Sequence, residues 1–172
     1  MSYFSYIYKN GKLLYKINKP FKFFRGNKTP SHYVYDSNNK IIGSIMKNGF
    51  KPPAKLSFKN SNFECYLVGL GDKGIKFVIF NSDKNIQIAL IELGIKIYDN
   101  KAKYELFAEN ENYMEIAIIS NLFYDFIRFD FRNNSVSKGV TITKVYTKNK
   151  AFLSKYNPSF KENILGRQDN QK

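Results

Sequence analysis

Through the first 108 residues, apolar and polar positions alternate in short runs, and each run is broken by a cluster of Asn, Asp, Ser or Gly. Period-two alternation puts one side of a strand in a core and the other toward solvent. Residues 7–17, IYKNGKLLYKI, set Asn10-Gly11 between two such runs, a strong two-residue hairpin signal. Residues 33–45 turn through Asp36 to Asn39, residues 77–91 through Asn81 to Lys84, and residues 95–107 near Asp99-Asn100. A fifth hairpin joins residues 55–58 to 63–70 across 60–62. Asp and Asn suit these turns because their side chains bond the local backbone and tolerate left-handed conformations. Residues 21–24 read as a further strand. Residues 47–55, KNGFKPPAK, are expected to form a loop, since Pro52-Pro53 cannot serve a central ladder.

The pattern then changes. Residues 113–129, YMEIAIISNLFYDFIRF, form the longest apolar stretch and predict a helix of roughly 25 Å. Asn112 followed by Glu115 reads as an N-cap with a capping-box partner. Asn121, Asp125 and Arg128 fall on one narrow stripe, and the rest of the surface is nearly all apolar. Such a helix is buried on most sides. Residues 127–131 also alternate in the manner of a strand, but the helix accounts for more of the segment. Its shortness and its charged groups argue against a membrane span. Closing ten or more strands leaves an interior that an apolar helix can fill, so the strand pattern and the helix explain each other. Beyond it, residues 140–146 read as a strand. Asn157-Pro158 caps a short helix that is expected to run through Leu165 and stop at Gly166. Residues 166–172 are expected to be a disordered tail.

Residues 19–45, with Pro20, Lys22, Lys28, Val34-Tyr35-Asp36 and Ile42-Gly43, followed by the apolar helix after a series of hairpins, resemble the bacterial tubby C-terminal-domain-like proteins, relatives of the LURP-one-related family. The resemblance covers residues 1–131. It implies a mainly β fold: a closed antiparallel barrel of about 10–12 strands around a central helix at about 113–129. It also implies a binding role without catalysis, since some eukaryotic tubby domains bind phosphoinositide head groups through basic residues. No lipid-binding motif of those proteins matches this chain residue by residue. The family's helix ends its domain, whereas residues 132–165 here form an extension expected to pack on the barrel.

At 172 residues the chain is long enough for one domain with a real core. It holds sixteen Phe and thirteen Tyr but no Trp. Its net charge of +14 is uneven: residues 1–60 carry twelve Lys or Arg against one acid, Asp36. Such a field favours anionic partners, and otherwise serves solubility. Lys16, Lys19, Lys22, Arg25 and Lys28 interleave with Phe21, Phe23 and Phe24, while Lys47, Lys51 and Lys55 flank the proline pair. These eight cations are the candidate ligand-binding residues. The pattern suits an acidic phospholipid surface, or single-stranded nucleic acid through charge and stacking. The plainer reading makes the Phe core residues and the Lys their solvated faces, and a protein partner for the C-terminal extension is a further alternative.

Catalysis and metal binding find little footing. His32 is the only histidine and Cys65 the only cysteine, so metal-ligand spacing is absent and no cofactor is expected. Cys65 reads as a core residue within a strand. Gly69, Gly71 and Gly74 read as a turn between strands, because no helix follows them. A lone cysteine and the lack of a basic, apolar leader point to the cytoplasm, with the membrane periphery as the expected working surface.

Overall fold

Turn chemistry sets the strand register. The computed structural model describes residues 4–18, 31–48, 51–71, 74–93, 104–134, 152 and 154–169. Strands β1 (Phe4–Lys9) and β2 (Lys12–Asn18) meet at Asn10-Gly11, whose φ angles of 51° and 76° suit a type I′ turn. Strands β3 (His32–Asp36) and β4 (Ile41–Asn48) are joined through Asp36, whose carboxylate accepts the backbone N–H groups of Asn38 and Lys40, both at 2.9 Å. Strands β5 (Lys51–Phe58) and β6 (Ser61–Gly71) turn at Lys59-Asn60, again with both φ positive, 47° and 64°. The last rung between β6 and β7 (Gly74–Asn81) pairs Gly71 with Gly74, so the glycine-rich stretch joins two strands as expected. The side chain of Asn81 then accepts the N–H of Lys84 at 3.0 Å before β8 (Ile86–Leu93), and β9 (Tyr104–Ala108) follows. Each strand pairs antiparallel with the next, giving a nine-stranded sheet in chain order.

The expected loop around Pro52-Pro53 is instead part of β5. The ladder to β4 runs from Met46 opposite Lys55 to Asn48 opposite Lys51, with a register shift between, and the ladder to β6 begins only at Ala54. The prolines therefore sit where neither neighbour takes an N–H from them, which is the setting in which a strand tolerates proline. In β4, Gly43 lies opposite Phe58. A Cβ there would come within 2.7 Å of the Ser57 carbonyl oxygen, so the close approach of β5 depends on glycine.

Helix α1 (Glu111–Asn134) packs on one face of the sheet. Ile116, Ala117, Ile119 and Phe123 are almost wholly buried there among Ile17, Val34, Ile45, Leu56 and Ile79. Ser120 and Phe123 are separated by roughly 4.5 Å along the helix axis. Yet Ser120 meets Cys65 of β6 while Phe123 meets His32 of β3. Those strands would lie about 14 Å apart in a flat sheet. At the helix start, Glu111 follows shortly after β9 and pairs with Lys9 of β1, at the opposite end of the strand order, at 3.6 Å. The sheet therefore curls around α1. Among the described residues no ladder joins β1 to β9, so the expected closed barrel is seen as a curled, open sheet of nine strands. The expected strands at 21–24 and 140–146, and the first arm of the 95–107 hairpin, lie outside the described residues.

Two helix boundaries differ from the sequence pattern. The N-cap is Asn110, whose Oδ1 accepts the N–H of Tyr113 at 3.0 Å, and not Asn112. With the cap at Asn110 the N3 residue is Tyr113, so Glu115 makes no capping box and its carboxylate accepts from Tyr15 and Lys59 of the sheet. The helix also continues past residue 129 to Asn134, because each residue added to a nucleated helix gains a backbone bond at little further entropic cost.

The other face of the sheet is covered over β6 to β9. Tyr66, Val78, Phe80 and Leu90 are buried beneath Phe152, Phe160 and Ile164. Burial on both faces explains why residues 77–80 and 88–91 read as continuous apolar runs without alternation. Helix α2 (Phe160–Asp169) carries Phe160 and Ile164. Asn157 caps it, accepting the N–H of Ser159 at 3.0 Å, while its own N–H donates to Gln87 Oε1 at 2.9 Å. The helix does not stop at Gly166. Residues 166–169, expected to be part of a disordered tail, form its last turn. With only one glycine in an exposed turn, the helical penalty is about 1 kcal/mol, small enough for the anchored preceding turns to override.

Candidate anionic-ligand surface

Among the described residues, the outer face of β1 to β5 is the part of the sheet that Phe152, Phe160 and Ile164 do not cover. Cross-strand pairing lines up Tyr6, Lys16, Tyr35 and Ile41 on successive strands β1, β2, β3 and β4. Ile17 and Val34, on the next rung, point the opposite way into the core. Tyr6 is 50%, Tyr8 61% and Ile41 53% exposed, high values for such large side chains. The Lys16 ammonium is held at this face by Asn39 Oδ1 at 2.6 Å, and Tyr33 and Tyr35 pack edge to face with centroids 6.5 Å apart. Asp36 is occupied by its turn, and Glu64 accepts the Tyr66 hydroxyl at 3.1 Å. Burial, reinforced by Glu64, pushes the Tyr66 hydroxyl up to about 12, so it stays a neutral donor.

Of the eight cations singled out from the sequence, Lys16 and Lys55 have described side chains on this face. They are three strands apart, roughly 14 Å in the pairing direction. Lys47 and Lys51 lie in the β4 and β5 backbone, but their side chains are outside the described set. Lys19, Lys22, Arg25 and Lys28 lie outside the described residues altogether. Sequence reasoning missed Tyr6, Tyr8, Tyr33 and Tyr35. A signal was present: Tyr6 and Tyr8 flank buried Ile7, and Tyr33 and Tyr35 flank buried Val34, so alternation assigns these four tyrosines to the solvent side.

A second polar cluster lies at the edge of the inner core. Tyr15 donates to Glu115 Oε2 at 2.8 Å, and Lys59 Nζ donates to Tyr15 Oη at 2.9 Å and to Glu115 Oε2 at 3.0 Å. Burial raises the Tyr15 hydroxyl above its ordinary value, with Lys59 opposing and Glu115 assisting. For Lys59 burial acts downward, but the hydrogen bonds to Tyr15 and Glu115 outweigh it and the ammonium lies above its ordinary value. Tyr15 therefore remains a protonated donor and Lys59 a cation, and the cluster ties α1 to strand β2 and to the turn between β5 and β6. Its left-handed backbone costs Lys59 about 1–2 kcal/mol, and these contacts help hold it there.

His32 and Cys65 are core residues. His32 begins β3, is 5% exposed, sits edge-on to Phe123 at 5.1 Å, and has Nδ1 3.2 Å from Ser31 Oγ. Cys65 Sγ lies 3.3 Å from Ser120 Oγ, and burial pushes the thiol up to about 12 despite that hydrogen bond. At pH 8 the native protein should react with a thiol reagent on the order of a hundredfold more slowly than the unfolded chain, because the reactive thiolate is scarce and covered. Equal rates in a stopped-flow comparison would remove Cys65 from the core.

Among the described residues no group of three or more His, Cys, Asp or Glu is placed to hold a metal ion, and no helix is long and apolar enough to cross a membrane. Comparison of the chain with protein-family models, curated proteins and solved structures gave no match.

Proposed function

We propose that this chain is a non-enzymatic binding module of the tubby C-terminal-like kind, a barrel around α1 that works at the periphery of the cytoplasmic membrane face and recognises acidic phospholipid head groups. The observation that carries the reading is the contrast between the two halves of the outer sheet face. Over β6 to β9 that face is sealed by the C-terminal segment, whereas over β1 to β5 it presents tyrosine, lysine and exposed aliphatic side chains. Residues 1–60 carry twelve Lys or Arg against one acid, an excess that favours an anionic partner. Near an anionic membrane each Lys or Arg contributes about 1 kcal/mol. The barrel reading is supported by the way α1 engages strands at both ends of the order.

Flotation of the full chain with vesicles tests this. The protein should float with vesicles of phosphatidylcholine and phosphatidylserine at low salt, should not float with phosphatidylcholine alone, and should be released as salt rises, since exposed charges are screened within about 10 Å at 0.1 M. Failure to float with anionic vesicles at low salt would end the lipid reading. A salt-sensitive shift of a single-stranded oligonucleotide without flotation would transfer the same face to nucleic-acid binding.

A further inference from the structure

We infer that the rung Tyr6–Lys16–Tyr35–Ile41, together with Tyr8 beside it, is the surface that enters the head-group layer of an anionic bilayer. The inference rests on the lipid reading above and assigns it a site. Pairing sets the four rung residues side by side on adjacent strands, a band roughly 14 Å across. Its chemistry is that of a membrane interface. Tyrosine presents an apolar ring and a hydroxyl, which suits the boundary between acyl chains and water. Lys16 stands between two tyrosines, where its ammonium can meet a lipid phosphate while its stem lies along the rings. Ile41 supplies an exposed aliphatic group at the end of the rung.

Position favours a membrane over a nucleic-acid strand. Among the described residues the most exposed rings, Tyr6 and Tyr8, are on β1 at one end of the strand order and beside the Asn10-Gly11 turn, where Lys12 is exposed and Lys9 pairs with Glu111. Tyr33 and Tyr35, which lie further into the sheet, are half-buried and packed against each other, so they offer poorer stacking platforms for bases.

The chain lacks Trp, so a single introduced Trp reports its own surroundings. Tyr8→Trp should show a blue-shifted emission and quenching by brominated acyl chains when anionic vesicles are added. Ile86→Trp, at the start of β8 and 43% exposed, should show neither. In flotation, Tyr6→Ser/Tyr8→Ser should bind anionic vesicles about tenfold or more weakly, since two exposed rings no longer leave water on docking. Its thermal melt should match the wild type, which separates lost docking from lost folding. Wild-type flotation with an unshifted Tyr8→Trp spectrum and undiminished binding by the double variant would overturn this assignment and leave the lipid reading standing. Wild type that ignores anionic vesicles would overturn both.

Discussion

Phe123→Asp is expected to abolish cooperative folding. Phe123 is 1% exposed, at the centre of the contact between α1 and the curled sheet, with His32 edge-on to its ring. Removing a buried Phe side chain alone costs about 3–5 kcal/mol. No Lys or Arg is buried among the described residues, and pairing a carboxylate with His32 would require charging a buried imidazole as well, so the carboxylate adds a penalty of several kcal/mol. Together these reach the whole stability of an ordinary domain, about 5–15 kcal/mol. Ile119→Asp should behave alike, because Ile119 is fully buried one turn earlier. Circular dichroism during thermal unfolding of purified soluble protein is the measurement, and a cooperative transition close to wild type in both variants would refute the central place of α1. Asn121→Ala supplies the contrast. Asn121 is only half-buried and its Oδ1 finds no hydrogen-bond partner among the described residues, so this change should leave the melt nearly unaltered.

Truncation after Asn134 should be nearly as damaging. The sequence pattern suggests that residues 1–131 could stand as the complete domain. The packing argues otherwise, because Tyr66, Val78, Phe80 and Leu90 on the outer face are buried only with Phe152, Phe160 and Ile164 in place. Returning these four side chains to water costs roughly 6–12 kcal/mol, taking about 1.5–3 kcal/mol each as an upper range. The cut also strips Glu92 of Lys161, leaving Lys76 as its close cation. Burial raises the Glu92 carboxyl, but hydrogen bonds from Lys161 and Lys76 outweigh it and hold the group below its ordinary value. The truncated chain should bind a hydrophobic dye and lose its sharp unfolding transition. A truncated protein that melts cooperatively near the wild-type temperature would show that the outer face does not depend on the C-terminal segment.

Much of the local architecture was legible because it is encoded locally. Asn10-Gly11 can adopt two positive φ angles cheaply, and Asp36 and Asn81 carry side chains that bond the turn they start. Alternation around Ile7, Tyr15, Ile17 and Val34 marks the core side of the first strands, and a long apolar stretch marks α1. The candidate surface was less legible. Clusters of cations in the sequence drew attention to residues 16–28 and 47–55, but adjacency along a chain is not adjacency on a sheet. Lys16 acquires its tyrosine neighbours from β1 and β3, ten and nineteen residues away, through pairing that no local window contains.

By itself, then, the sequence determined a mainly β chain of hairpins with one buried helix and a basic N-terminal third, since turn propensity, period-two alternation and charge act over a few residues. Tertiary structure alone decided the rest. It set the N-cap at Asn110, which leaves Glu115 beyond the first turn and free to bond Tyr15 and Lys59 across the core. It admitted Pro52-Pro53 to β5, because two ladders happen to leave those positions unpaired. It also brought α2 back to cover β6 to β9, while Tyr6, Tyr8 and Ile41 on the first strands stay about half exposed. Each of these outcomes depends on groups far apart in sequence competing for the same hydrogen bond or the same apolar surface, and that competition is resolved only when the chain closes on itself.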